Sequence, residues 1–293
     1  MLRKILGILG VLLALLGVGL VLYPTILDYV NSLQDHREIE RYVEEVDGMG
    51  SEEAQALLER CRQYNQDLVA SYPANPFTRS GINQGVSDSY ADFSLVQVGA
   101  TVGYIEIPSL DLYQIMRFGS DQETLAKGAG LENYATLPVG GAGTHAYIDG
   151  HTGLASRSIF TKIDQMQEGD LVFIHVLGEH LAYQVDDIRV VLPEETENST
   201  IEEGEDRITL VTCYPFGVDD HRLLVSATRI DYDFSEEQTS APGVPAMPAV
   251  LVGTIVGLVV GLGALAAIVV RGRRRALRGE NAAAGRKPTH MAR

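Results

Sequence analysis

The sequence predicts a mainly β domain that follows a helical region and is flanked by two transmembrane helices. Three observations support this prediction: short β-type runs between residues 102 and 230, two helical patterns before them, and an uncharged apolar run near each end of the chain. With 293 residues, of which 21% are charged, the chain is long enough for a sizeable core. This composition excludes a wholly disordered or collagen-like chain.

Both apolar runs have the length of a membrane span. Residues 5–22 carry no charge, which reaches the threshold of roughly 18 residues for a spanning helix. A cleaved signal peptide is the alternative, but Tyr23 and Pro24 stand where small residues of a cleavage site would be expected. Residues 249–270 form the second run, and five arginines follow within residues 271–278. Because basic flanks stay in the cytoplasm, we expect a cell-membrane protein with both termini cytoplasmic and the domain between them extracellular.

The net charge of −16 is unevenly distributed. Residues 28–248 hold 13 of the 23 basic residues and 38 of the 39 acidic ones, which gives this segment a net charge of −25. So acidic a segment repels phosphate backbones, and nucleic acid is therefore not an expected partner. The two cysteines, Cys61 and Cys213, are too few for a disulfide framework or a four-cysteine zinc site.

The segment between the apolar runs changes character along its length. Apolar residues at helical spacing predict one helix over residues 28–47 and a second from Ser51, a good N-cap, to about Ala70. Residues 72–93 are rich in Pro, Gly, Asn and Ser, which predicts a long loop of the kind that often forms a functional lid. Polarity then alternates as it does in half-buried strands, which favours one closed barrel or a sandwich. The β-type runs are residues 102–107, 112–116, 145–148, 171–177, 181–192, 208–213 and 222–230, and residues 121–127 and 156–167 leave room for short helices.

These patterns divide the chain into seven segments. They are a cytoplasmic end and membrane anchor (1–23), an extracellular helical region (24–71), a lid loop (72–93), the β domain (94–232), a Pro-containing linker (233–248), a C-terminal transmembrane helix (249–270) and a basic cytoplasmic tail (271–293).

Cys213 is the candidate nucleophile. It ends the run Ile208–Cys213, and a strand end opens at the rim of a sheet, where a thiolate can meet a substrate. Arg222 starts the next run, nine residues further on, so an antiparallel hairpin would bring it opposite Cys213, where a guanidinium can hold a carbonyl or an oxyanion. The alternatives are a buried structural cysteine or a disulfide between Cys213 and Cys61.

His151 is the candidate general acid and base. It lies between Gly150 and Gly153, after the run 145–148, in a position that suits an imidazole at a loop mouth. The weaker candidates are His145, His175, His180, His221 and His290. Taken alone, each of these histidines is more often structural than catalytic.

The order of these motifs resembles the sortases of Gram-positive bacteria. The resemblance covers most of residues 24–232 and is carried by GYIEIPSLDLYQIM, LPVGGAGTHAYIDGHTGL, SIFTKIDQMQEGD and TLVTCYPFGVDDHRLLV. It implies an eight-stranded β-barrel and a cysteine transpeptidase that cleaves LPxTG-like sorting signals between Thr and Gly. On this resemblance Cys213 forms a thioacyl enzyme, His151 protonates the leaving amine, Arg222 stabilises the oxyanion, and no cofactor is needed.

The subgroup that the chain resembles is class C, the pilin-polymerising sortases. Two anchors, the segment YPTILDYVNS, and Asn75-Pro76-Phe77 at the place of the class C lid carry this resemblance. The family usually has an acid where this chain has Asn75, and an amide cannot form an ion pair with Arg222. The implied partners are pilin or surface-protein substrates and a lysine-bearing pilin acceptor. The alternatives are a sortase that attaches proteins to the cell-wall crossbridge, or a membrane-tethered adhesion or scaffold module without enzyme activity.

Overall fold

The computed structural model describes residues 2–71, 89–153, 159–198, 204–236 and 243–284. The chain divides into two compact units. One unit is Leu27–Pro245, and the other comprises Met1–Ile26 and Ala246–Arg293. The predicted β domain lies in the first unit, as does the predicted helical region except for its first three residues.

Four α-helices, eight strands and five short 3₁₀ helices make up the described secondary structure. The helices are α1 (Leu2–Gly48), α2 (Ser51–Ser71), α3 (Gln122–Leu125) and α4 (Ala249–Ala284). The strands are β1 (Thr101–Ile107), β2 (Leu112–Phe118), β3 (Ala129–Leu131), β4 (Thr144–Asp149), β5 (Leu171–Val176), β6 (Glu179–Val191), β7 (Asp206–Tyr214) and β8 (His221–Ile230).

The eight strands close into a barrel in the order β1-β2-β3-β4-β7-β8-β6-β5. The β2–β3 and β4–β7 pairs are parallel, and the other six pairs are antiparallel. The barrel prediction is confirmed, and each of the seven predicted runs corresponds to a strand. The eighth strand, β3, has only three residues and no β-type run corresponds to it, so the sequence did not predict it.

The barrel is filled by alternate side chains of its strands. Ile105, Ile148, Leu210 and Val225 are fully buried in one core that extends over every strand of the sheet. Burying such a side chain stabilises the fold by roughly 1.5–3 kcal/mol, so this core accounts for a large part of the folding free energy.

The first two helices pack against the barrel through a few polar contacts set in apolar surroundings. On α1, the Tyr42 hydroxyl donates to the Val102 carbonyl at 2.9 Å and accepts from the Leu177 N–H at 2.8 Å. On α2, the buried Asn65 amide donates to the Leu137 carbonyl at 2.9 Å and accepts from the Leu137 N–H at 2.7 Å. These bonds satisfy backbone groups of the barrel that would otherwise be buried without partners.

The two apolar runs near the chain ends differ in whether their described helices are long enough to span a membrane. Among the described residues one helix, over Leu9–Gly48, contains a stretch long and apolar enough to cross a membrane. It belongs to α1, which continues without a break through Pro24, whereas the sequence suggested a separate helix beginning near residue 28. The second predicted span lies within α4, where the described apolar stretch, Ala249–Gly261, is shorter than a span. The second span therefore stays a prediction.

Two histidines of the β5–β6 hairpin form a partly buried pair. The Nδ1 atoms of His175 and His180 lie 2.6 Å apart, so one ring must donate to the unprotonated nitrogen of the other. His175 Nε2 also lies 3.3 Å from an oxygen of Glu106. Burial, and secondarily the nearby His175, lower the pKa of His180 below its usual value of about 6.5.

This pair predicts that the fold loses stability in mild acid. Because folding lowers the His180 pKa, the unfolded chain binds more protons below about pH 6.5, and the free energy of unfolding falls as the pH decreases. We expect denaturant titrations between pH 7.5 and pH 5 to show this decrease, and a His180→Gln variant to show a smaller one. Equal pH dependence in the two proteins would contradict this account.

Candidate active site

A cavity of about 210 Å³ lies where β4 and β7 end, and it brings together the three residues that the sequence singled out. Cys213 comes from β7, Arg222 from the start of β8, and His151 from the loop after β4. The lining residues are Ser120, Leu125, Glu132, Tyr134, Tyr147, Asp149, Gly150, His151, Val211, Thr212, Cys213 and Arg222. A second cavity of about 160 Å³, beside α1, is lined by Asp28, Asp35 and His36 among others and contains no thiol.

Backbone pairing fixes Cys213 opposite Arg222. In the antiparallel β7–β8 ladder these two residues are direct partners, as the hairpin interpretation of the sequence predicted. The Arg222 guanidinium donates through Nη1 to the carbonyls of His221 at 2.9 Å and Asp219 at 3.2 Å. Bonds to its own loop hold the arginine in place, so it requires little reorganisation to bind a substrate oxygen.

The loop that carries His151 is tied to β7 on both sides of the histidine. The Gly150 N–H donates to the Val211 carbonyl at 3.0 Å, and the Thr212 hydroxyl donates to the Gly150 carbonyl at 2.6 Å. On the other side, the hydroxyls of Thr152 and Thr212 lie 2.6 Å apart. Since Thr212 directly precedes Cys213, these bonds fix the position of the His151 backbone relative to the Cys213 thiol.

The same loop needs a glycine at position 150. A β-carbon added there would lie 2.4 Å from the ring of Phe160, which is fully buried. The Phe160 N–H in turn donates to the His151 carbonyl at 3.1 Å, so Phe160 both supports the loop and leaves no room for a side chain beneath it.

We predict that Gly150→Ala destabilises the protein and impairs catalysis. Moving Phe160 or the loop costs on the order of 1–3 kcal/mol, as overpacking of a core typically does, and displaces His151. Thermal unfolding measures the first effect, and turnover of an LPxTG-like peptide, the substrate that the sequence resemblance implies, measures the second. Gly48→Ala is the matched control, because a β-carbon there would meet nothing within 4 Å. Equal behaviour of the two variants would show that the close approach to Phe160 does not constrain the loop.

Opposing charges act on the Cys213 thiol. Burial raises the pKa of Cys213 above its ordinary value, Asp219 and Asp149 raise it further, and Arg222 acts in the opposite direction without cancelling them. The resting sulfur is therefore mainly a thiol at neutral pH. Because the thiolate is the nucleophile, catalysis requires a base that takes this proton as the substrate is attacked, and His151 lies in the same cavity.

The other candidates among the described residues do not line this cavity, and His290 lies outside the described residues. His145 is buried, and its Nε2 lies 2.8 Å from the Thr209 hydroxyl, while His221 pairs with Asp220 at 2.7 Å. Cys61 is fully buried on α2, and burial raises its pKa to about 12. Both cysteines are free, so the disulfide alternative is wrong. The lid residues Asn75, Pro76 and Phe77 lie outside the described residues.

Three residues at the site were not among the candidates that the sequence pattern indicated. Thr212 and Thr152 were not singled out, although each directly follows or precedes a candidate catalytic residue in the chain. Asp149 was also missed, two residues before His151. The only indication in the sequence was that these residues lie next to a candidate catalytic residue. The sequence does not show which carbonyl such a threonine hydroxyl will bind.

A thiol, an imidazole and a guanidinium at one barrel rim suit acyl transfer through a thioester, which places the chain among the cysteine acyltransferases. A sequence profile of the sortase domain matches residues 105–230. The structure of Clostridium perfringens sortase C with the C-terminal cell wall sorting motif is 35% identical, with a TM-score of 0.58, and the similarity covers 67% of this chain and 99% of that one. Streptococcus pneumoniae sortase C is 36% identical, with a TM-score of 0.56, over 67% of this chain and 97% of that one.

A more distant relative is Sortase D of Bacillus subtilis, which is 22% identical over 120 residues. That match spans 41% of this chain and 58% of the relative. The sortase C structures are covered almost completely at more than 30% identity. The chain therefore belongs to the sortase family, and it is a sortase-type cysteine transpeptidase.

Proposed function

We propose that this chain is a class C sortase, which joins pilin subunits by transferring the cleaved end of one sorting signal to a lysine of another subunit. The observation that carries the proposal is the meeting of Cys213, His151 and Arg222 in one cavity at the barrel rim. The similarity to two sortase C structures supports the subgroup, and the S. pneumoniae enzyme is specific for pilin substrates.

The first half of the reaction forms the thioacyl enzyme. The Cys213 sulfur loses its proton to His151 and attacks the carbonyl carbon between Thr and Gly of an LPxTG-like signal. Arg222 donates to the oxyanion that develops, and its two bonds to loop carbonyls keep it aimed at the cavity. His151 then gives its proton to the leaving glycine amine as the C–N bond breaks.

The second half reverses these roles. A neutral lysine amine attacks the thioester, a C–N bond forms, and the C–S bond breaks. The amine proton passes through His151 to the departing sulfur, which restores the thiol. No external energy source is consumed, because the thioester retains the free energy of the cleaved peptide bond.

The proposed setting is the outer face of the cell membrane. The apolar part of α1 supports one anchor, and the second span at residues 249–270, the cytoplasmic termini and the extracellular barrel remain part of the proposal. The lid role of Asn75, Pro76 and Phe77 is proposed on the sequence resemblance alone.

Trapping of the acyl enzyme tests the proposed chemistry. Full-length protein in detergent, incubated with an LPxTG-type peptide, should gain the mass of the peptide up to Thr on Cys213, and hydroxylamine should release it. Cys213→Ala should gain nothing and His151→Ala very little, while both keep the wild-type melting temperature. Cys61→Ala is the control that keeps activity, because its thiol is buried away from the site. An adduct on Cys213→Ala, or none on the wild type, would contradict the mechanism.

The acceptor decides between class C and the cell-wall alternative. The class C proposal predicts that the acyl enzyme transfers to a pilin-derived lysine peptide in preference to an oligoglycine amine of the kind found in crossbridges. Preference for oligoglycine, with the acyl enzyme still formed, would favour the cell-wall sortase instead.

Arg222→Lys separates charge from geometry. Lysine keeps the positive charge but lacks the planar guanidinium, which can donate to the loop carbonyls and to an oxyanion at the same time. We expect kcat to fall by about 10²–10³, the range seen when one oxyanion donor is lost, with a small change in melting temperature. A fully active lysine variant would mean that Arg222 contributes only its charge.

A further inference from the structure

Basic side chains are concentrated in one cleft of an otherwise acidic domain. This basic cleft has a volume of about 410 Å³, lies between α1 and β2, and is lined by Gln34, Arg37, Glu38, Arg41, Arg117 and Lys127. Of the 13 basic and 38 acidic residues in the segment 28–248, four basic ones and a single acidic one are among these described lining residues. The cleft is therefore positive, in a segment whose net charge is −25.

Arg37 and Arg41 are the cations of the basic cleft without an acidic partner among the described residues. They lie four residues apart, so they share one face of α1, and both are exposed. Neither forms an ion pair or a side-chain hydrogen bond with any other described residue. Glu40, Glu44 and Glu45 lie near them in the chain but do not line the cleft. Both guanidinium groups are thus available to an anionic ligand, and each offers paired donors that match phosphate oxygens.

Arg117 fixes the wall of the basic cleft on the barrel side. It forms an ion pair with Glu38, and its Nη1 donates to the Gly99 carbonyl and to the Thr101 hydroxyl, each at 3.1 Å. Its side chain is only 11% exposed, so these bonds hold it in place. The Arg117–Glu38 pair adds no net charge, but it holds α1 against β2 and so fixes the shape of the cleft.

Lys127 supplies the third available cation, from the segment between α3 and β3. Its ion pair with Glu123 at 2.8 Å joins two exposed side chains four residues apart, and a pair of this kind contributes little free energy. The ammonium can therefore turn from Glu123 to a ligand. A phosphate group carries up to two negative charges and accepts through three oxygens, so it can pair with three such cations at once. A long polyanion is disfavoured, because the net charge of −25 repels its other phosphates.

We propose that the basic cleft binds one phosphate dianion, either free phosphate or the end group of a phosphate monoester, through Arg37, Arg41 and Lys127. The bound group would link α1 to the segment that follows α3, and it would stabilise the folded protein because only the folded state brings the three cations together. None of the three lines the catalytic cavity, so this inference does not depend on the proposed transpeptidation.

Phosphorus NMR and thermal unfolding of the full-length protein test this site. The protein is kept in a maltoside detergent, which carries no phosphate, at constant ionic strength and at about pH 7.5, where phosphate is mainly a dianion. Inorganic phosphate and glycerol 3-phosphate should each bind saturably and raise the melting temperature as their concentration increases. Glycerophosphoglycerol, a diester, and acetate should bind at least about fivefold more weakly, because each carries a single negative charge.

A double variant and a matched control locate the binding. Arg37→Gln combined with Arg41→Gln should weaken phosphate binding about tenfold or more, because two charge-assisted hydrogen bonds are lost. Arg62→Gln combined with Arg189→Gln removes the same charge from exposed arginines that already pair with acidic residues elsewhere. That control should change the dissociation constant by less than about twofold, since distant surface charges are screened. Lys127→Gln alone should weaken binding about threefold, because the weakest of the three contacts is lost.

The outcomes decide the inference without any measurement of transpeptidation. Weaker binding in the α1 double variant and in Lys127→Gln, but not in the control, supports the site. Equal weakening in the α1 variant and the control, wild-type binding no tighter than that of acetate, or tighter binding of the diester than of the monoester would overturn it. Should the α1 variant fail to fold, as its ligand-free melting curve would show, Lys127→Gln decides alone. Cys213→Ala should bind phosphate as the wild type does, which separates this site from the catalytic one.

Discussion

The antiparallel pairing of β7 with β8 is the interaction on which the active site depends. It places Cys213 directly opposite Arg222, and the same ladder buries Leu210 and Val225 in the barrel core. A shift of one residue would turn the core side chains outward and separate the thiol from the guanidinium. The free energy of core burial therefore holds the catalytic pair in register, and the site needs no separate scaffold.

The parallel pairing of β4 with β7 adds the third group. It runs from Thr144 beside Asp206 to Asp149 beside Val211, and both strands end at the same rim. Beyond the last pair, the hydroxyls of Thr212 and Thr152 extend the contact into the loop that carries His151. Gly150 allows this loop to lie on the Phe160 ring. The two strand ladders and the two threonine hydroxyls thus fix the position of the His151 backbone. His151 itself stays partly exposed, so a substrate can reach it.

Much of this arrangement could be predicted from the chain. The β-type runs and the seven residues between Cys213 and the His221–Arg222 pair were enough to infer the hairpin and its facing residues. The sequence did not reveal β3, because three residues are too few for an alternating pattern. It also did not reveal that α1 continues through Pro24, since a proline usually ends a helical prediction. The hydrogen bond between the Thr152 and Thr212 hydroxyls was not predicted, because it depends on the parallel β4–β7 register, which no local sequence pattern encodes.

The geometry of the site predicts where the substrate binds. A crystal structure of the Cys213→Ala protein with an LPxTG-type peptide tests it most directly. We expect the Thr–Gly carbonyl oxygen to lie within about 3 Å of the Arg222 guanidinium, with the glycine nitrogen facing His151. A peptide bound with its Thr–Gly bond outside the cavity between β4 and the β7–β8 hairpin would contradict the account.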